Sequence, residues 1–282
     1  MFKTKSLRVE IQQEAGDLTP TSLFYVYKDV PIDVSINRTE PSYSASIKIY
    51  GVSKEDMARM TLLKWTYDIA VQRAVRVYAT SGDSEMLIFS GNMVSGTPNY
   101  STAPNTYIEI QAIAGIYYNF AVIPPTVYKG SIPAPSLIKD LCDFLNISFY
   151  NFGVDKIAVN PHFEADGLRK RVEEIAKAYD FNAIIRDERI EIYSKDLKEQ
   201  QVTKWNVNKN NYVGYPSFTE TGISLNFDEI FDVDVEHILE IDGSEIKPAN
   251  DKWIVRKVVY DLSTKINGKW TMRVEGIRYG RF

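Results

Sequence analysis

Asp232, Asp234 and Glu236 recur at every second residue, with Val233 and Val235 between them. In an extended strand that spacing sets three negative charges on one face. There they would either be solvated at an exposed edge or repel a polyanion moving past. The two histidines have poorer company. His162 follows Asn160-Pro161 and His237 lies beside Glu236, whereas a metal site needs three or four ligands at suitable spacing. Cys142 has no second cysteine to bond and sits in an apolar helical pattern with Leu137, Ile138, Leu141 and Leu145. It reads as a core residue rather than a reactive thiol. Glycoside hydrolysis needs two carboxyl groups facing across a cleft, one with a raised pKa. Glu164 with Asp166 would be an arbitrary choice, and Glu173 with Glu174 reads as the solvated side of an amphipathic helix. No nucleophile elbow and no phosphate-binding glycine loop is present. The residues therefore predict no catalytic side chain, no metal ligand and no cofactor, and the chain does not read as an enzyme.

The elements that would position such residues follow from composition and pattern. Of 282 residues, 44% are hydrophobic and 25% charged, an ordinary globular composition with room for two or three cores. A formal net charge of −4 argues against gripping DNA through its phosphates. The N-terminus has no continuous apolar stretch, and no run of about 20 apolar residues could span a bilayer. Synthesis and assembly in a cytoplasm, without membrane insertion, are therefore expected.

From Ser6 to about Ile123 the chain reads as strands. Leu7, Val9 and Ile11 alternate with Arg8, Glu10 and Gln12, the period of a strand with one buried face. Leu23–Tyr27, Pro31–Ile36, Ser44–Tyr50, Val71–Ala79, Glu85–Gly96 and Tyr107–Ala114 continue the series. A short helix is predicted from Ser53, with Asp56 three positions after the cap. Prolines at 124, 125, 133 and 135 mark a boundary. Beyond it, Ser136–Leu145 and Gly167–Tyr179 have helical spacing, and Phe181–Arg186 and Arg189–Tyr193 read as strands joined at Asp187-Glu188. Polar Lys195–Asn211 reads as a connector. The chain ends in a hairpin, Trp253–Tyr260 with Trp270–Tyr279, in which Asn267-Gly268 suits a two-residue type I′ turn. The predicted class is mainly β with an α+β insertion. Its division is a β domain over 1–123, an α+β module over 124–196 and a second β domain over 197–282, with segments near 115–130 as candidates to complete the latter. Tyr25, Tyr27, Tyr117, Tyr118 and Phe120 serve equally well as interface or core residues.

Several motifs together resemble a known family. Gly214, Pro216, Thr219, Gly222 and Ile223 form a G-x-P-x-x-T-x-x-G-I entry to the acidic-aromatic segment and the terminal hairpin. Tyr50-Gly51-Val52-Ser53 with Met57, Phe89-Ser90-Gly91-Asn92-Met93, and Phe163 to Phe181 match further stretches. The chain so resembles the central baseplate hub proteins of contractile phage tails, the late-control-D type. The resemblance implies two tube-like antiparallel β-barrel domains flanking or enclosing the α+β module. It also implies a homotrimeric, pseudo-sixfold ring that adapts a sixfold tail tube to a threefold spike in the virion or tailocin baseplate. The implied partners are the tail tube protein, a spike protein expected as a separate chain, baseplate wedge and tape-measure proteins. DNA or tape protein would pass through a channel without sequence-specific binding, with Asp232, Asp234 and Glu236 as candidate channel-lining residues. A cell-wall-degrading or carbohydrate-binding tail protein is the alternative.

Overall fold

The computed structural model describes residues 5–13, 22–40, 43–62, 73–81, 84–115, 122–164, 166–185, 189–195, 203–220 and 222–280. Tyr117, Tyr118, Phe120 and the Asp187-Glu188 turn lie outside them. The chain divides into two compact units, residues 1–113 with 204–282, and residues 114–203.

The first unit is a sheet. Its N-terminal strands are β1 Lys5–Gln12, β2 Phe24–Tyr27, β3 Ile32–Thr39, β4 Ser44–Tyr50, β5 Ala74–Ser81, β6 Ser84–Asn99 and β7 Tyr107–Ile113, with helix α1 Lys54–Met60 after β4. Alternation decides their faces. Ile32, Val34 and Ile36 are buried while Asp33 and Ser35 stand outward, and β4 repeats this with Ala45, Ile47 and Ile49. Helix α1 starts as its sequence predicts, the Ser53 hydroxyl accepting the Asp56 N–H at 3.0 Å. Its Met57 and Met60 are fully buried.

The second unit follows in the chain with β8 Val122–Ile123, β9 Thr126–Val127, β10 Ser131–Pro133, α2 Ala134–Leu145, β11 Ser148–Phe152, β12 Ile157–Val159, β13 His162–Phe163, β14 Asp166–Gly167, α3 Leu168–Ala178, β15 Phe181–Ile185 and β16 Arg189–Ser194. Strand β16 lies between β11, parallel to it, and β15, antiparallel. One core gathers Leu137, Ile138 and Cys142 of α2 with Val172 and Ile175 of α3 and Ile190 and Ile192 of β16. Helix α2 stops at Asn146, in the left-handed conformation.

The chain returns to the first unit with β17 Lys204–Asn208, β18 Val213–Phe218, β19 Gly222–Phe227, β20 Ile238–Asp242, β21 Lys252–Ser263 and β22 Trp270–Arg278. All thirteen strands of this unit form one sheet, in the order β18-β19-β22-β21-β3-β4-β7-β6-β5-β1-β2, with β20 branching from β21 and β17 from β20. The mainly β class holds, but the two expected barrels do not form: the described strands make an open path with β18 and β2 at its ends. The join is β21 against β3, registered from Lys257↔Thr39 to Ser263↔Asp33.

Two further expectations are corrected. Lys195–Asn211 is not only a connector, because Lys204–Asn208 pairs in parallel with Ile238–Asp242. The Trp205/Val207 alternation was the local sign, but a parallel partner some 34 residues away leaves no turn signal. The terminal hairpin also has no two-residue loop. Asn267 has φ 59°, Gly268 does not have positive φ, and the Ser263 N–H reaches Lys269 O at 2.7 Å. Thr264 explains the wider loop. It is drawn to β3 instead, its N–H donating to Ile32 O at 3.0 Å and its hydroxyl accepting the Ile32 N–H at 2.8 Å.

Candidate interaction surface

The outward face of the sheet is built in rungs across strands from both ends of the chain. One rung runs Thr271–Asp261–Ser35–Ser46–Gln111, from β22 through β21, β3 and β4 to β7. The next runs Ser263–Asp33–Lys48–Glu109–Thr97. Every side chain in both is polar, because these are the outward positions of strands whose inward positions hold Ile, Val and Leu. Hydrogen bonds knit them laterally. Ser35 donates to Asp261 at 2.9 Å, and Gln111 donates to Ser46 at 3.0 Å and to Glu109 at 3.2 Å.

Several charges on this face are paired. Asp33 accepts from Lys265 Nζ at 2.7 Å, from Ser263 at 2.6 Å and from Tyr50 at 3.0 Å. Burial alone would raise the Asp33 pKa, and these hydrogen bonds together outweigh it, holding the carboxyl below its ordinary value. Lys48 approaches Glu109 at 4.0 Å, Arg273 approaches Glu275 at 3.1 Å, and Lys257 sits opposite Glu275 in register. A shallow groove of about 410 Å³ crosses the centre, lined by Asp33, Ser35, Ser46, Lys48, Asp261 and Lys265 among others. It offers hydroxyls and paired ions.

The acidic segment is organised differently from its predicted form. Residues 231–237 are not a strand, so the three acids do not share a face. Asp232 is exposed, Asp234 is 8% exposed and Glu236 is fully buried. The alternation is broken because the chain turns: the His237 N–H returns to Asp234 O at 3.1 Å, and Glu236 takes φ 69°. Each buried acid is met by an arginine. Glu236 is bonded by Arg256. Asp234 lies 3.6 Å from Arg38 and accepts the Tyr43 hydroxyl at 2.6 Å and the Val235 N–H at 2.8 Å. Arg38 also donates to the carbonyls of Ile88, at 2.6 Å, and Val233, at 3.2 Å, beneath the Tyr260 ring. Burial pushes the Tyr260 phenol up to about 12. This node was missed, although it left a signal: Arg38 continues the buried phase of Ile32, Val34 and Ile36.

The remaining candidates have structural surroundings. His237 Nδ1 accepts from the Asp234 N–H at 3.1 Å and the Trp205 indole at 3.3 Å. His162 is exposed on β13, 2.9 Å from Glu164. Asp166 is held low by Lys170 and the Gly167 N–H, the opposite of what a general acid needs. Glu173 and Glu174 are exposed on α3. Burial pushes the Cys142 thiol up to about 12. Among the described residues no cluster of three or more His, Cys, Asp or Glu could hold a metal ion, and no helix is long and apolar enough to cross a membrane.

Comparison with known proteins gives a consistent likeness. The sequence model of the family described as Baseplate hub gp41 matches residues 21–275. No curated protein sequence matches. Among solved structures, a tail protein from Neisseria meningitidis shares 7% identity at a TM-score of 0.61, covering 97% of each chain. A chain of the PdpA–VgrG complex of Francisella shares 8% identity at 0.58, covering 99% of this chain and 59% of that one. An E. coli component of the type VI secretion system, described as structurally similar to the T4 phage tail proteins gp27 and gp5, shares 8% at 0.57, covering 89% and 74%. At such identities the likeness is one of fold.

Proposed function

The chain belongs to the Baseplate hub gp41 family, and from that premise we propose that three copies form a pseudo-sixfold ring joining a sixfold tail tube to a threefold spike. Residues 1–113 and 204–282 act in it as two β modules per copy that share one sheet. The observation that carries this reading is the single sheet shared by the two ends of the chain. Strand β3 from the first and β21 from the last are zipped along seven registered pairs, so both modules are presented in one continuous sheet. A closed ring needs heterologous contacts that return on themselves, and two modules per copy turn threefold into near-sixfold geometry.

The protein acts by geometry and not by catalysis, in the tail baseplate, with tail tube, spike, wedge and tape-measure proteins as partners. A channel would be left for DNA or tape protein. The mixed-sign face suits such a wall, since hydroxyls and interspersed ions of both signs offer a polyanion no basic patch to hold it. Of the three acids first considered, Asp232 is the one whose side chain is exposed for this role. Size-exclusion chromatography with light scattering tests the ring: trimers are expected as concentration rises, and a monomer throughout rejects it. Clearing of a peptidoglycan zymogram by the purified chain would reject the non-catalytic part.

A further inference from the structure

His237 Nδ1 is an acceptor twice over. It takes the backbone N–H of Asp234 at 3.1 Å and the indole N–H of Trp205 at 3.3 Å. The two donors belong to different parts of the first unit. Asp234 lies in the turn over 231–237, and Trp205 stands on β17, the strand on which the chain returns from the second unit. Strand β17 is lightly held. Its one strand partner among the described residues is β20, along five registered pairs, and the indole packs on Phe231 with ring centroids 5.1 Å apart. Backbone and indole N–H groups can only donate, so Nδ1 carries no proton and the neutral ring holds its proton on Nε2.

We propose that His237 is an acid-released latch, which ties β17 to the 231–237 turn when neutral and lets it go when protonated. An imidazolium is a donor at both nitrogens. Its Nδ1–H would face two further N–H groups, and neither bond survives. The ring is half-buried, so protons reach it from solvent. The charged groups around it do not cancel the effect. Asp234 and Glu236, on its own segment, already face Arg38 of β3 and Arg256 of β21. Lys204 of β17 is registered with Ile238, next to His237, and opposes an added positive charge. Asp232 is exposed, and Glu240 of β20 lies three residues along the chain. The released state therefore binds one more proton than the latched one. The latch is whole above the ordinary histidine range, about 6.5, and weakens as pH falls below it. Acid thus loosens the strand at one of the two chain connections between the second unit and the sheet. The latch works within one copy, so its fate and that of the ring are separate.

Two measurements on the full chain test this. The chain has two histidines, so His162→Gln leaves a single imidazole to follow by NMR. That ring is expected as the Nε2–H tautomer above about pH 7.5. Trp205→Phe deletes one donor and keeps an aromatic ring, and should make His237 titrate at higher pH. Hydrogen exchange reads the release itself. Amide protection of β17, corrected for the intrinsic pH dependence of exchange, should fall between about pH 7.5 and pH 5.5. The fall should reach at most about tenfold for each pH unit, the limit set by one proton. His237→Asn puts an amide oxygen that does not titrate in the place of Nδ1, and should keep the protection level over the same range. The exchange comparison stands whether or not Trp205→Phe folds. A ring in the Nδ1–H tautomer, a titration midpoint unmoved by Trp205→Phe, or the same pH response in the parent and His237→Asn would each overturn the latch.

Discussion

Two joints tie the N-terminal strands of the sheet to its C-terminal segment, and they are built in opposite ways. The β3–β21 seam is a backbone zipper with half-exposed hydroxyls and ions along its outer row, among them Ser35–Asp261, Ser263–Asp33 and Lys265–Asp33. The Arg38 node is a buried polar cluster that reaches from β3 to the irregular segment around Asp234 and to the Ile88 carbonyl of β6. A seam spreads its stabilisation over many small contributions, each replaceable by water when lost. A node concentrates it in groups that water does not reach, where an uncompensated charge is expensive. The seam sets alignment; the node pins a loop that has no ladder of its own.

The comparison breaks most sharply at Arg38. Arg38→Met removes the guanidinium beside buried Asp234 and three donors to two buried carbonyls, and should destabilise the chain by about 3–5 kcal/mol. Urea unfolding followed by tryptophan fluorescence would read this as a lower midpoint at unchanged slope. A loss under about 1 kcal/mol would mean that water reaches the node after all. Tyr43→Phe keeps the ring and deletes only the 2.6 Å hydrogen bond to Asp234, so about 2 kcal/mol is expected, in the range for bonds to a charged group. Pairing the two substitutions should give less than their sum, because they share Asp234.

The same contrast explains what could be read in advance. Alternation revealed the strands of the seam, since each has one apolar face. The Ser53 cap and the helical spacing of α2 and α3 were equally local. Motif residues proved to do local work too. The Thr219 hydroxyl accepts the Gly222 N–H at 3.0 Å in the β18–β19 turn, and a Cβ on Gly222 would meet Gly276 O at 2.0 Å. Gly51 has φ 72° where β4 gives way to α1. What escaped was non-local. Nothing near Asp234 says that Arg38, 196 positions earlier in the chain, waits to neutralise it, so the alternating acids were read as a solvent-facing strand. Nor does any local pattern announce that both ends of the chain share one open sheet instead of closing separately into barrels.

Weaker effects belong to the seam. Thr264→Val keeps the shape and removes the hydroxyl that accepts the Ile32 N–H and donates to Val30 O at 3.0 Å. About 1 kcal/mol is expected, measured as a small fall in the urea midpoint. An effect as large as that of Arg38→Met would make the seam a concentrated joint as well.

Asp33 gives the smallest effect and the most diagnostic one, because it varies with pH. Its folded-state pKa is depressed, burial being outweighed by hydrogen bonds from Lys265, Ser263 and Tyr50. A depressed carboxyl stabilises the fold above its unfolded pKa of about 4, and that contribution disappears as pH falls through the folded value. Asp33→Asn should therefore be slightly less stable than the parent near about pH 7, and the two should converge as pH falls through the folded-state value. Added salt should narrow the gap at neutral pH, since Asp33 and Lys265 are both partly exposed. Asp234 makes the contrast: its arginine is 8% exposed, so the loss caused by Arg38→Met should scarcely respond to salt. If the two variants respond alike, the division between a solvent-screened seam and a dry node is wrong.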